Sequence, residues 1–272
     1  MKVALAQITA SQDKAENLEA IRRAAGEAAA AGARLLLCPE LAMYNPAADV
    51  ESFADIAEPL DGEFVQALSA LARRHELALV VGVYEPSPDP KRVYNVEVAI
   101  GPDGGILAVY RKLHLFDALG WKESDKVLPG EVAEENLGVV FDVDGWRFGI
   151  VTCFDLRFPE LVRTLADAGA EVILHPTAWT SGPVKEDHHA IFCHARAVEN
   201  TCYVLSANQS PPVFTGRSLA VDPMGVAIAG LHEDDGLVVV TLDKDRLTAV
   251  RERLPLLSLR RLGSARPAGD RA

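Results

Sequence analysis

Residues 146–161 read WRFGIVTCFDLRFPEL, and this stretch decides how the chain folds. Arg147 to Thr152 has the apolar character of a buried strand. Pro159 suits the first turn of a helix, and Leu161, Val162 and Leu165 keep helical spacing after it. Cys153 falls in the bend between the two. A side chain there stands at the end of a strand, beside backbone N–H groups that are not all committed to a ladder. That is a good place for a nucleophile with hydrogen-bond donors next to it. A lone cysteine in such a place is otherwise a core thiol, so the rest of the chain has to decide between the two readings.

Outward from this stretch, strands and helices alternate. Towards the N-terminus, Lys2 to Ile8 reads as a strand, and Asp13 can cap an Ala-rich helix that ends at Gly32. Arg34 to Cys38 is a short buried strand stopped by Pro39-Glu40, Asp61 to His75 a helix, and Leu77 to Tyr84 an apolar strand. Tyr94 to Ile100 and Ile106 to Tyr110 flank GPDGG, a strong hairpin turn. Arg111 to Leu137 mixes charge, Gly and Pro and reads as a surface excursion, and Gly138 to Asp142 pairs with Trp146 to Thr152 around Asp144-Gly145. Towards the C-terminus come a helix from Pro159 to Ala168, a strand from Glu171 to His175 stopped by Pro176, and a helix from Glu186 to Asn200. Strands follow at Cys202 to Ala207, Leu219 to Asp222, Val226 to Ala229 and Leu237 to Leu242. Two halves that end in LLLCPE and VILHPT suggest an internal repeat, and the alternation implies mixed sheets covered by helices.

The composition narrows the function. With 272 residues, 49% hydrophobic and 24% charged, the chain fits one large domain, expected over residues 1–262, with a loose tail at 263–272. A net charge of −12 disfavours a nucleic-acid partner. No apolar run reaches the ~18 residues that a membrane span needs, and MKVALAQITA reads as a strand rather than a signal peptide. Cys38, Cys153, Cys193 and Cys202 form no CxxC pair, so neither a zinc ribbon nor a dithiol motif is present. Free thiols in an acidic chain point to the cytoplasm.

Several polar residues stand where chemistry could use them. Glu40 ends a buried strand, where a partly desolvated carboxyl could exchange protons near neutrality. Lys112, in YRKLHLF, follows another strand, and a buried lysine could stabilise an oxyanion, while Arg111 should face the other way. Each has a plainer reading as a solvated charge. Glu123 lies among charges and by itself reads as a surface acid. His175 and His114 are candidate bases for Cys153, though nothing in their spacing selects either. His189 and His194 are five apart and the HExxH pattern is absent, so no metal is expected. Asp155 and Arg157 could pair with each other or hold the bend, and Arg157 could bind a substrate carboxylate. Cys153, Glu40 and Lys112 make a coherent set, because amide cleavage needs a thiolate, a proton donor for the departing amine and positive charge at the oxyanion.

From KVALAQ to LRRLG the chain resembles the nitrilase, or carbon–nitrogen hydrolase, superfamily. LLLCPEL around Glu40, YRKLHLF around Lys112 and VTCFDLRFPEL around Cys153 carry the resemblance, supported by GPDG, ARAVENTCYV and DPMG. It implies a four-layer αββα sandwich with mixed sheets and no cofactor. It also implies Cys153 as nucleophile, Glu40 as general base and acid, Lys112 as stabiliser of the tetrahedral intermediate, and Glu123 as the family's second glutamate. The oxyanion contact would come from the backbone N–H of Phe154, with Arg157, Thr177 and Ala178 completing the substrate site. CFDLRFPEL looks most like the Nit branch of small amidases. True nitrilases usually carry Trp-Glu after the cysteine and N-carbamoylputrescine amidases favour Trp, whereas this chain has Phe154-Asp155. A thiol-dependent amidase acting on a small carboxylate-bearing amide, as a homodimer or larger assembly, is therefore expected. The alternatives are a nitrilase, an N-carbamoyl amidohydrolase, a glutaminase serving a separate synthetase, and a non-catalytic binding protein on the same fold. One departure stands out: His188-His189 replaces the branch's frequent His-Trp, so His189 is expected to reshape the pocket.

Overall fold

Strand β1 (Lys2–Gln7) sets the layering. Val3 and Leu5 point into a core shared with Phe148, Ile150 and Leu174, while Ala4 and Ala6 point the other way, against Ile21, Ala25 and Leu68. This period-two split puts a sheet face on each side of the strand. Ile21 and Ala25 belong to helix α1 (Lys14–Ala30) and Leu68 to helix α2 (Glu63–His75). As expected, Asp13 caps α1, accepting from the N–H groups of Ala15 at 2.7 Å and Glu16 at 3.3 Å. The computed structural model describes residues 1–46, 53–133 and 137–262. The expected tail at 263–272 lies outside the described residues.

Two six-stranded sheets face each other across the shared core. In the first, β1 has β12 (Gly236–Thr241) on one side and β2 (Leu35–Leu37), β3 (Ala78–Pro86), β4 (Val93–Ile100) and β5 (Ile106–Arg111) on the other. The second runs β6 (Val140–Val143), β7 (Trp146–Ile150), β8 (Val172–Thr177), β9 (Tyr203–Asn208), β10 (Leu219–Val221) and β11 (Ala227–Gly230). Helices α3 (Pro159–Asp167) and α4 (Lys185–Asn200) cover its outer face, α3 against β7 and α4 against β9 and β10. The layers are therefore helix, sheet, sheet, helix, the mixed αββα sandwich expected.

Both sheets follow one pairing pattern. An antiparallel edge strand precedes three parallel strands, and two antiparallel strands follow. The repeat places β2 and β8 in equivalent positions, so LLLCPE and VILHPT correspond.

Three elements differ from the sequence reading. Pro176 does not stop β8, which continues to Thr177 and pairs residue by residue with β9. Pairing with β7 ends at Leu174, so Pro176 has a ladder partner on one side only, where its missing N–H costs little. Residues 111–133 do more than run over the surface. They carry a 3₁₀ turn at Glu123–Asp125, and Gly130 N–H bonds back to the Lys112 carbonyl at 2.9 Å. Helix α5 (Lys244–Arg253) was not expected, although Asp243 caps it, accepting from Asp245 N–H at 2.9 Å. A final short helix, α6, spans Leu256–Leu259.

Candidate active site

Glu40 is seated by a close approach of two backbones. A Cβ on Gly82 of β3 would come within 2.7 Å of Leu41 N and 2.9 Å of Glu40 Cα, so only glycine leaves room for the chain to cross there. Leu41 then turns away with φ 62°. The carboxylate is 3% exposed and accepts three hydrogen bonds. Lys112 Nζ donates at 2.9 Å, Asn95 Nδ2 at 2.8 Å and the backbone N–H of Ala178 at 2.8 Å. Asn95 was not singled out by the sequence. It sits on β4 and reaches both acids, donating also to Glu123 at 3.3 Å.

Lys112 and Arg111 face opposite ways, as strand alternation requires. Arg111 forms a two-pronged pair with Glu85, and Lys112 turns inward to 2% exposure. Its ammonium lies between Glu40 and Glu123, at 3.0 and 2.8 Å from the two Glu123 oxygens. Burial alone would favour the neutral amine. The carboxylates of Glu123 and Glu40 outweigh it and hold the Lys112 pKa well above the usual lysine value. An ammonium has three donors, and two carboxylates are its partners, so one donor is left for a developing oxyanion. Glu123 is fixed in turn by the Phe116 N–H at 2.7 Å. What reads as a charged surface acid is thus a half-buried member of the site.

Cys153 opens a 3₁₀ turn (Cys153–Arg157) with φ 47°, a conformation uncommon for a residue with a side chain. Asp155, fully buried, holds this bend to the lysine segment. It accepts from Tyr110 Oη at 2.7 Å, His114 N–H at 2.9 Å and Thr152 N–H at 3.1 Å. Of the two roles open to Asp155 the structure shows the second: it anchors the bend and does not pair with Arg157. Burial pushes the Cys153 thiol up to about 12, with Glu40 adding to the effect and Lys112 opposing it. The Thr177 hydroxyl, which has no formed hydrogen bond, lies near enough to lower the thiol slightly. No hydrogen bond among the described residues takes up the Phe154 N–H, which sits beside the sulfur-bearing residue at the start of the turn.

Neither candidate histidine base addresses the thiol. His175 bonds to the Cys153 carbonyl at 3.1 Å and to Ser206 Oγ at 2.8 Å, and His114 bonds to Asp155 at 2.7 Å and stacks on Phe158. Since a carbonyl only accepts, His175 Nε2 carries the proton and its Nδ1 accepts from Ser206. His189 Nε2 then donates to the same hydroxyl at 2.8 Å. His175, His189 and Cys193 bring potential ligand atoms within 4.8 Å of one another. The Ser206 hydroxyl already bridges the two imidazoles.

Beside Cys153 a cleft of about 200 Å³ opens to solvent. Phe116, Phe154, Arg157, Ala178, Trp179 and Lys185 contribute to its wall. Arg157 is turned away from Asp155, and its guanidinium lies 4.6 Å from the Trp179 ring centre. Thr177 is fully buried at the end of β8 behind this wall, and Ala178 contributes its N–H to Glu40. His189 is not in the wall. Its ring backs Trp179 at 5.6 Å, so the pocket departure expected at His189 acts one layer behind the surface.

Residues 2–252 match the carbon–nitrogen hydrolase family. The chain belongs to that family. The deaminated glutathione amidase of Escherichia coli O157:H7 is 34% identical over 96% of this chain and 97% of its own length. Bovine omega-amidase NIT2 is 31% identical, covering 96% and 95%. Among solved structures, an amidase from Nesterenkonia sp. superposes with a TM-score of 0.78 at 32% identity over 94% of this chain and 95% of that one. Nit3 of Saccharomyces cerevisiae, a branch 10 member of the nitrilase superfamily, gives 0.85 at 28% identity over 96% of both. Within this family of hydrolases the two-sheet sandwich is the shared fold, and the Nit-type amidases are the branch this carbon–nitrogen hydrolase resembles.

Proposed function

We propose that this carbon–nitrogen hydrolase is a thiol-dependent amidase that cleaves a small carboxylate-bearing amide to the acid and ammonia. The observation that carries the reading is the convergence of Glu40, Lys112 and Glu123 in one buried network beside Cys153. A thiol held near pKa 12 is not a nucleophile until a base takes its proton. Glu40 takes it as sulfur attacks the amide carbon. Lys112 and the Phe154 N–H hold the oxyanion. Glu40 returns the proton to the leaving nitrogen, the C–N bond breaks, and ammonia departs from a thioester at Cys153. Water then attacks the thioester, giving one proton to Glu40, and the C–S bond breaks to release the acid and restore the thiol. In a related Nesterenkonia amidase, acrylamide adds to the active-site cysteine. Arg157 faces the cleft and offers the contact for the carboxylate.

The four free cysteines, all buried, suit a reducing cytoplasm, and no described helix is long and apolar enough to cross a membrane. Exposed Ile191 and Val198 on α4, with Met224, Val226 and Ile228 at the neighbouring sheet edge, suit a homodimer or larger assembly. The test is ammonia release from a panel of small amides, nitriles and carbamoyl compounds, run on wild type and Cys153→Ala after sizing by sedimentation. Release from amides, lost in Cys153→Ala, is expected from a species at least dimeric. Turnover of nitriles without an amide preference would reassign the reaction, and a monomer would remove the assembly.

A further inference from the structure

Lys185 is a buried cation without an anion. It is 6% exposed, and among the described residues it forms no ion pair and its ammonium no hydrogen bond. It stands at the first position of α4, where the helix N-terminus is itself positive and a cation is disfavoured. Arg157 is a second such group: its Nε is buried with no hydrogen-bond partner, and it too forms no ion pair. Both cations lie against Trp179, Arg157 Cζ at 4.6 Å from the ring centre and Lys185 Nζ at 5.2 Å, with Lys185 also 4.6 Å from the Phe116 ring. Cation–π contact replaces only part of the lost hydration. Burial favours the uncharged form of each, so the site itself opposes both charges.

The placement of Lys185 is built. Trp179 Nε1–H donates to the Lys185 carbonyl at 2.8 Å, which ties the start of α4 to the cleft. Val184, immediately before it, takes φ 54° to turn the chain. Both cations line the cleft that opens beside Cys153. The charge balance is specific. Glu40 and Glu123 exceed Lys112 by one negative charge, and Arg157 with Lys185 brings the site to one net positive charge.

We infer that Lys185 and Arg157 form a two-cation clamp over Trp179 that selects monoanionic amides by gripping their single carboxylate. Lys185 is then a specificity-determining residue. It makes the enzyme reject neutral amides of the same length, because they leave two desolvated cations unpaired. A dianion would overfill the clamp. The inference rests on the amidase reading for the position of the scissile amide at Cys153, and binding tests it without requiring turnover.

The probes are malonamate, succinamate and glutaramate, each paired with the neutral primary amide of equal chain length. Titration calorimetry with Cys153→Ala is expected to show at least one monoanion binding tenfold or more tighter than its neutral partner. Lys185→Met in that background should cut the anionic-to-neutral affinity ratio at least tenfold, and Lys185→Arg should restore most of it. A lesion that merely loosened the cleft would weaken both members of a pair and would not be rescued by arginine. Equal binding of every pair, or a ratio that Lys185→Met leaves in place, overturns the clamp. Absence of ammonia release from catalytically intact protein, with the ratio behaving as expected, would overturn the amidase reading and leave the clamp standing.

Discussion

Cys153 is a thiol at rest, and its neighbours explain why that state is useful. Desolvation and then the Glu40 charge raise it, so the same carboxylate that removes the proton also keeps the sulfur from ionising early. Glu40→Gln separates these effects. Turnover should fall by about 10²–10⁴, the usual worth of a positioned acid–base group. The Cys153 thiol should at the same time titrate lower than in wild type, because a negative charge is gone while Lys112 remains. Ultraviolet titration of thiolate, differenced against Cys153→Ala, checks this, and a thiol that titrates higher in Glu40→Gln would contradict it. Glu97 extends the theme. It lies two residues from Asn95 on the same face of β4, fully buried, with neither carboxyl oxygen hydrogen-bonded among the described residues. Burial first, and the nearby Glu40 second, hold it well above the usual carboxylate range.

At the scale of elements, the site gathers where strand ends from both sheets meet. Glu40 follows β2, Lys112 follows β5 and Cys153 follows β7, and Asn95 near the start of antiparallel β4 reaches the same rim. The tightest point in this assembly is the crossing of Gly82 beneath Glu40. Gly82→Ala pushes backbone against backbone, which no side-chain rotation relieves. It should cost about 1–3 kcal/mol of stability, as overpacking does. It should also lower kcat by at least tenfold, because Glu40 is displaced relative to Lys112 and Cys153. Denaturant unfolding and steady-state kinetics measure the two effects. A variant with full kcat would show that Glu40 tolerates the shift.

At the scale of the whole molecule, buried imidazoles tie stability to pH. Burial lowers His175 to about 3, aided by His189, and lowers His189 to about 4, from an ordinary 6.5. Below pH 6.5 the unfolded chain binds protons at these two positions that the native state refuses, so stability falls with falling pH through the window down to 4 and 3. Each imidazole contributes a slope of at most about 1.4 kcal/mol per pH unit there. Chemical unfolding at several pH values between about 7 and 4.5 should show this decline. In His189→Gln the slope should be shallower by one proton, and an unchanged slope would remove His189 from the account.

Much of this was legible in the sequence because it is local. A strand's apolar run, Asp13 at a helix cap, Pro159 at a first turn and the Asp144-Gly145 hairpin are decided by neighbours within a few residues, and backbone sterics enforce them. The LLLC and VILH halves share one apolar pattern, so even the repeat showed through. The three blocks around Glu40, Lys112 and Cys153 gave the family and the reacting groups. What needed the tertiary structure is whatever depends on burial and on partners far along the chain. Glu123 looks solvated in its own segment and becomes a site residue only when Lys112 and Phe116 meet it. Asn95 and Lys185 carry no local signal, since a strand amide and a lysine at a helix start look ordinary until the surroundings remove water and withhold a counter-charge. Asp155 had two partners open to it in sequence, and the fold chose Tyr110, His114 and Thr152. Charge and hydrogen bonding act through space, so their pairings are fixed only when the two sheets close on each other.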